Sequence, residues 1–255
     1  MLAAGKGTLS GLGRKETCSD VRRESFANNV FQIYVGTGKQ LLSVQCDKKH
    51  IMLNATISTS KRGSALNGFD TSAMTASAVM LMLAIYPDIQ EKARREAEEV
   101  LGDRDASLED INRLIYLEAV TKETLRLFGP PLFLRKIKGD VPLDNCTLVE
   151  GCTTVVFVYD IHKSTKFWDS PDDFMPERFI GTTLKHRYCY LPFSSGPRNC
   201  PGQRFANMSM RLLLANVLRN YKLTTHVTDW SQVKMKLDVL QTPVDGYPIK
   251  LEPLR

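Results

Sequence analysis

The sequence lacks the signals that mark several common protein classes. None of its six cysteines belongs to a C-x-x-C pair, which argues against a zinc ribbon, a thioredoxin-type motif and a compact disulfide framework. No stretch approaches the ~20 apolar residues of a membrane span. The glycine-rich N-terminus has no sustained apolar core, so we expect no secretory signal. We also find no internal repeat. The absence of a paired cysteine pattern favours free thiols in a reducing compartment.

Charge of one sign is concentrated at one end of the chain. The 255 residues carry a formal net charge of +6. Residues 1–66 hold ten Lys/Arg against four Asp/Glu, whereas residues 67–255 hold 24 of each. Because the basic excess lies in the least patterned part of the chain and lacks interleaved aromatic residues, we expect no nucleic-acid partner.

The pattern changes near residue 67. Residues 1–66 form a poorly patterned basic segment with one short candidate strand, 30–35. Beyond it, apolar periodicity and Pro/Gly punctuation predict helices over residues 70–86, 88–101, 114–128 and 201–221. β-Type segments are predicted over residues 132–137, 153–158, 233–240 and 249–251. The predicted fold class is mainly α with small β-sheets.

One cysteine lies in an unusual loop, FSSGPRNCPG, residues 193–202. Cys200 immediately precedes Pro201, and proline suits the first turn of a helix. The thiol is therefore expected at a helix N-terminus, where free N–H groups and the helix dipole favour a thiolate. A buried free cysteine in a Gly/Pro turn is the alternative.

The other residues of the loop suit a flat, anionic ligand. Gly196 and Gly202 let the backbone approach a macrocycle and direct N–H groups at the sulfur. Arg198 offers a fork for a carboxylate, and Phe193 can pack against a ring and shield the sulfur. Five residues within these ten positions suit such a ligand, which favours a ligand loop over a structural turn. They are Phe193, Gly196, Arg198, Cys200 and Gly202.

This loop resembles the haem-binding signature of the cytochromes P-450. The resemblance covers residues 67–255, which correspond to the C-terminal half of a family member, and the motifs are closest to those of insect microsomal members. It implies the C-terminal half of the cytochrome P-450 fold, with haem b (iron protoporphyrin IX) as cofactor and Cys200 as the axial ligand of the iron. No part of this sequence resembles the N-terminal half of the family fold.

Other landmarks follow in the family's order. Glu123 and Arg126 resemble its E-x-x-R motif, and Arg178 in the sequence PERF resembles its third partner, so we expect a structural ion network. A surface i, i+3 salt bridge is the alternative for the first pair. Arg135 matches a basic residue that reaches a haem propionate, with a surface strand arginine as the alternative. His162 is expected to be a structural hydrogen-bonding residue rather than a metal ligand.

A further motif, NGFDTS at residues 67–72, resembles the family's distal-helix motif, although Asn67 replaces the usual Ala or Gly. The resemblance implies that Asp70 and Thr71 deliver protons to dioxygen and that Gly68 leaves room for it. The alternative is an Asp/Thr helix N-cap.

The resemblance implies a monooxygenase, here in a truncated form, that inserts one oxygen atom from O₂ into a small apolar substrate. Electrons would come from NADPH through a flavoprotein reductase that docks near Lys185, His186, Arg187 and Arg204. The implied location is the cytosolic face of the endoplasmic reticulum, with the full-length form on the membrane surface. Three alternatives remain: a non-catalytic remnant that binds haem weakly or not at all, a haem-thiolate isomerase, and a zinc site from His186, Cys189 and Cys200.

Overall fold

The computed structural model describes residues 65–104, 106–237 and 241–254, together with three strands within residues 30–54. The chain divides into two units, one within residues 1–59 and one formed mainly by residues 60–255. The first strands form a three-stranded sheet in the order β1-β2-β3, with β1 antiparallel to β2. Their bounds are β1 Val30–Tyr34, β2 Leu41–Asp47 and β3 His50–Asn54. Of these strands, only β1 is predicted by the sequence pattern.

Five α-helices among the described residues provide the frame of the second unit. They are α1 Ala65–Ile85, α2 Pro87–Leu101, α3 Ile115–Phe128, α4 Val158–Lys163 and α5 Gln203–Asn220. Short 3₁₀ turns occupy Asp110–Arg113, Pro176–Phe179 and Trp230–Gln232. Residues 76–85 of α1 are buried without a polar side, as their nearly continuous apolar sequence predicts for a core helix.

The predicted helices match α2, α3 and α5 within two residues, but α1 and α4 differ. Helix α1 begins at Ala65 rather than near Asp70, so Gly68 lies within the helix instead of before it. Helix α4 has six residues, too few to show a helical period in the sequence. None of the described helices is by itself both long and apolar enough to span a bilayer, and one pair, Asp70–Ile85 with Pro87–Leu101, qualifies only jointly across a 114° bend.

In the described part of the second unit, eight short strands form four antiparallel pairs. Strand β4 (Leu132–Lys136) pairs with β7 (Thr153–Phe157), and Arg135 lies opposite Thr154. The other pairs are β5 (Val141–Pro142) with β6 (Thr147–Leu148), β8 (Tyr221–Thr224) with β11 (Lys250–Pro253), and β9 (Met235–Leu237) with β10 (Gln241–Pro243). The structure is thus mainly α with small sheets, as predicted.

Two buried polar residues of α2 join the helices to the last sheet. Gln90 donates to the carbonyls of Leu83 and Leu223, both at 2.9 Å, and accepts the N–H of Leu223 at 2.9 Å. Arg94 donates to Gln90 Oε1 at 2.7 Å and to the Tyr221 carbonyl at 3.0 Å. These bonds satisfy backbone groups of α1 and β8 that burial would otherwise leave unpaired.

A buried ion network fixes the irregular segment after α4. Glu123 in α3 is fully buried, and its carboxylate accepts from Arg126 Nε and Nη2, both at 2.8 Å, and from Arg178 Nε at 3.0 Å. The N–H of Met175 donates to the same carboxylate at 2.9 Å. The i, i+3 pair therefore lies inside the protein rather than on a helix surface.

The two arginines of this network also bind backbone carbonyls. Arg126 donates to those of His162, Pro171 and Asp173 at 2.8, 2.7 and 3.1 Å. Arg178 donates to those of Asp169 and Ser170 at 2.9 and 3.2 Å. Because a buried guanidinium needs every donor occupied, the path of residues 162–178 is set by the positions of these nitrogens.

Glu123→Gln is expected to lower the free energy of unfolding by about 3–5 kcal/mol, because it leaves two buried guanidinium groups without their counter-charge. Urea titration followed by circular dichroism measures the loss. Glu252 provides a matched control, since its carboxylate is 41% exposed and pairs with Lys250 on the surface of β11. Glu252→Gln should change stability by at most about 1 kcal/mol. Equal losses in the two variants would contradict a central role for the network.

Candidate functional site

Cys200 closes a compact loop and exposes its side chain. Its N–H donates to the carbonyl of Phe193 at 2.9 Å, and the N–H of Asn199 donates to the carbonyl of Gly196 at 3.1 Å. The thiol is free, and the residue is exposed although its backbone is tightly held. The loop therefore presents sulfur to its surroundings from a defined backbone position.

The helix after the loop begins later than the sequence indicates. Helix α5 starts at Gln203, and Pro201 lies in the preceding turn rather than in the first helical position. Gly202 has φ −85° and ψ 0°, values of a turn residue. The N–H of Gln203 still points back to the Cys200 carbonyl at 3.4 Å. Cys200 thus precedes α5 by three residues, near its N-terminal end.

Two glycines of the loop have distinct geometric roles. Gly196 has φ +80°, a left-handed conformation that side chains rarely adopt. A Cβ added at Gly202 would lie 3.8 Å from Cys200 Sγ, its nearest neighbour in the structure. Glycine at position 202 therefore keeps the space beside the sulfur open.

Ser194 is a site residue that the sequence analysis did not identify. It has φ +62°, one of two non-glycine residues with positive φ among the described residues. Its hydroxyl oxygen accepts from Arg135 Nη2 at 2.8 Å, and the same nitrogen donates to the Arg198 carbonyl at 3.2 Å. The guanidinium also lies over the ring of Phe133, 4.6 Å from its centroid. Arg135 is therefore a half-buried residue beside the cysteine loop, not a free surface arginine.

His162 connects the entrance of the loop to α3. Its Nε2 accepts the N–H of Leu191 at 2.9 Å, so Nδ1 carries the proton and donates to the Arg126 carbonyl at 3.1 Å. Both ring nitrogens are thus used by backbone groups, which gives His162 the structural role expected of it. Burial is the main cause that lowers its pKa to about 4, and the charge of Arg126 acts in the same direction.

Tyr190 provides a second anchor at the loop entrance. Its hydroxyl donates to the carbonyl of Lys122 in α3 at 2.9 Å, and its ring stacks on His162 with centroids 5.4 Å apart. Burial raises the pKa of Tyr190 well above its ordinary value. The hydroxyl therefore stays protonated and keeps its bond to α3.

Asp70 and Thr71 lie in the second turn of α1, which excludes the N-cap alternative. Both residues are exposed. The hydroxyls of Ser72 and Thr75 donate to the carbonyls of Gly68 and Thr71, both at 2.8 Å. Side-chain hydroxyls in this part of α1 thus bond back to carbonyl groups four residues earlier in the helix.

Thr71 also lines a cleft between α1, the end of α3 and the C-terminal strands. The other lining residues are Met74, Thr75, Ala78, Phe128, Pro130, Gln241 and Tyr247. Burial raises the pKa of Tyr247 to about 12, so its hydroxyl is neutral at physiological pH. Cys200 is not among the lining residues, and the candidate site therefore consists of two separate clusters, the cysteine loop and this cleft.

The zinc alternative gains no support from the geometry. Within the parts of the chain that the structure describes, no three His, Cys, Asp or Glu side chains lie close enough to share a metal ion. Cys189 is buried, with 1% of its surface exposed, whereas Cys200 is exposed.

Comparison with known proteins identifies the family. The family model described as Cytochrome P450 matches residues 38–249, and the chain therefore belongs to this family. Cytochrome P450 4V2 of Pongo abelii is 32% identical over 247 residues, which are 95% of this chain and 45% of the relative. The Homo sapiens protein of the same name is 34% identical over 217 residues, 83% of this chain and 41% of that protein.

An insect relative is similar to the same extent. Cytochrome P450 4g15 of Drosophila melanogaster is 32% identical over 193 residues, 73% of this chain and 33% of the relative. The chain thus spans less than half the length of these relatives. The family match begins at residue 38, inside the segment 1–66 for which the sequence analysis found no clear match. The boundary between residues 66 and 67 stays a prediction.

Folding stability is expected to decrease as the pH falls from about 6.5 to about 4. Unfolded histidine binds a proton near pH 6.5, whereas buried His162 binds one only near pH 4, so protonation in this window favours the unfolded chain by up to about 3 kcal/mol. Urea titrations at several pH values measure the slope. His162→Asn should flatten it, and His226→Asn serves as the control that keeps it. An unchanged slope in His162→Asn would show that other groups cause the pH dependence.

Proposed function

We propose that this chain is the haem-binding C-terminal part of a monooxygenase of the cytochrome P-450 family, with Cys200 as the axial ligand of haem b. The observation that carries the proposal is the exposed thiol of Cys200 on a loop whose backbone is closed by the bond to Phe193. Family membership supports haem as the cofactor of this loop.

The described residues fit this group. The open space beside Cys200 Sγ at Gly202 and the left-handed turn at Gly196 leave room for a flat macrocycle against the loop. Half-buried Phe193 would shield the sulfur, and exposed Arg198 would pair with a propionate. Arg135 lies beside the loop and would be a second propionate partner. Bound there, haem b would supply the iron chemistry that inserts one atom of O₂ into a substrate and reduces the other to water.

The protein's own contribution to the reaction would be proton delivery from α1. Asp70 is exposed to solvent, and the next residue, Thr71, faces the cleft. Thr71 would hold a proton on Oγ1, and the Asp70 carboxylate would replace it from water. Gly68, without a side chain, leaves space on the preceding turn.

We propose that the substrate is a small apolar molecule that binds beside Thr71. Met74, Ala78, Phe128 and Pro130 contribute apolar surface there, while Gln241 and neutral Tyr247 add two polar groups for orientation. The cleft itself has a free volume of about 20 Å³, room for about one water molecule, so the substrate would lie against these residues rather than inside the cleft.

Electron delivery would occur near the cysteine loop. The basic residues Lys185, His186, Arg187 and Arg204 are all exposed, and such a surface attracts an acidic partner by charge steering. We propose an NADPH-dependent flavoprotein reductase as this partner. By analogy with the family, the complete protein would act at the cytosolic face of the endoplasmic reticulum membrane.

A second candidate is a non-catalytic remnant of the family. The observation in its favour is that the cleft beside Thr71 has a free volume of only about 20 Å³, far below that of a typical small-molecule site. Such a remnant would retain the loop but bind haem weakly or not at all. Haem titration separates the two candidates.

Haem titration of the purified chain is expected to give, after reduction and exposure to carbon monoxide, the Soret band of a thiolate-ligated haem. Cys200→Ala should abolish this band, because it removes the sulfur ligand. Cys146→Ala and Cys152→Ala are matched controls, since both cysteines are exposed and free like Cys200. Absence of the band in the unmodified chain would favour the remnant, and its persistence in Cys200→Ala would refute the assignment of the ligand.

Asp70→Asn is expected to lower NADPH-driven oxygen consumption by the haem-loaded chain with a flavoprotein reductase by about 100-fold, because it removes the proton donor. The thiolate Soret band should remain, since Asp70 lies outside the cysteine loop. Asp88→Asn is the control, as Asp88 is an exposed acid in the first turn of α2. Unchanged oxygen consumption in Asp70→Asn would remove this residue from the proposed proton path.

A further inference from the structure

We infer that Arg135 and Ser194 form a clamp that fixes the cysteine loop on strand β4, and that Ser194 is a positioning residue for Cys200. The clamp consists of the Arg135 guanidinium, the Ser194 hydroxyl and the Arg198 carbonyl. It rests on contacts within the protein and goes beyond the proposed function, because it operates whether or not the chain binds haem.

The clamp reaches both ends of the loop with one nitrogen atom. The bond from the Cys200 N–H to the Phe193 carbonyl closes the loop at residues 193 and 200. Arg135 Nη2 bonds Ser194 Oγ, one residue after the start, and the Arg198 carbonyl, two residues before the end. The two ends of the loop therefore cannot separate without breaking a charge-assisted hydrogen bond.

The donor of the clamp is itself held by a different element. Arg135 belongs to β4, which pairs with β7 over five residue pairs. Its Nη1 donates to the Leu134 carbonyl at 2.9 Å, and its guanidinium lies over the Phe133 ring. Both contacts orient the guanidinium, so the loop is tied to a sheet and not only to its own backbone.

Ser194 contributes both an acceptor and an unusual backbone conformation. At φ +62° a serine is strained, whereas glycine and asparagine adopt this region readily. Its hydroxyl nevertheless provides the oxygen that Arg135 binds. Substitutions can separate the two contributions. Alanine removes the acceptor and keeps the strain of a Cβ at this φ, glycine removes the acceptor and relieves the strain, and asparagine accepts the conformation and supplies an amide oxygen.

Amide hydrogen exchange of the chain without haem tests the clamp. Mass spectrometry of peptides covering residues 190–204 reports the protection of the loop, including the Cys200 N–H. Loss of a hydrogen bond to a charged group is expected to accelerate exchange in Ser194→Ala by about tenfold. Ser194→Asn should restore exchange to near the rate of the unmodified chain. Peptides from α3 should be unchanged, which distinguishes a local effect from general destabilisation.

A matched control and a double-variant comparison complete the experiment. Ser195→Ala removes the neighbouring exposed serine and should leave exchange of the loop unchanged. In an Arg135→Gln background, Ser194→Gly should add less than a twofold acceleration, because the acceptor acts through Arg135. Equal exchange in Ser194→Ala and the unmodified chain, or independent effects of Arg135→Gln and Ser194→Gly, would overturn the clamp.

Haem addition gives a spectroscopic readout of the same contacts. If haem binds, Ser194→Ala should shift part of the ferrous carbon monoxide Soret band from the thiolate form to that of a neutral ligand, and Ser194→Asn should restore the thiolate form. A band identical to that of the unmodified chain would contradict positioning of Cys200 by Ser194. Failure of the unmodified chain to bind haem would refute the proposed function and leave the exchange result to decide the clamp.

Discussion

The buried carboxylate of Glu123 is the interaction on which the backbone conformation of residues 162–178 depends. It is fully buried and accepts hydrogen bonds from two arginines and one backbone N–H. Burial of these charges is tolerable only with every partner in place. The remaining donors of Arg126 and Arg178 therefore require backbone carbonyls, and residues 162–178 supply them. The irregular segment 162–178 therefore has a defined backbone path because its carbonyl groups bind the arginines that pair with Glu123.

Two separate sets of contacts hold the cysteine loop beside this network, one from α3 and one from β4. His162 and Tyr190 fix the entrance of the loop on α3 through hydrogen bonds to backbone groups. Arg135 fixes the body of the loop on β4. Cys200 can therefore be exposed and still have a defined backbone position, the combination that a ligand to a large cofactor requires.

Helix α3 links the two clusters of the candidate site. Its middle carries Glu123 and Arg126, and its last residue, Phe128, lines the cleft beside Thr71. The chain then passes through Pro130, another lining residue, into β4 and Arg135. A single continuous segment thus connects the cleft beside Thr71 with the cysteine loop.

The sequence by itself was sufficient for the family, the predominantly helical class and the positions of α2, α3 and α5, because these depend on local periodicity and on motifs with fixed spacing. It also indicated Arg135 and the partners Glu123, Arg126 and Arg178, through resemblance rather than through any local signal. Only the tertiary structure decided that α1 begins before Asp70, that Ser194 has a left-handed backbone, and that its hydroxyl binds Arg135. The hydrogen bond joins residues 59 positions apart, and no periodicity or spacing in the chain encodes which serine of a Ser-Ser pair meets a distant guanidinium.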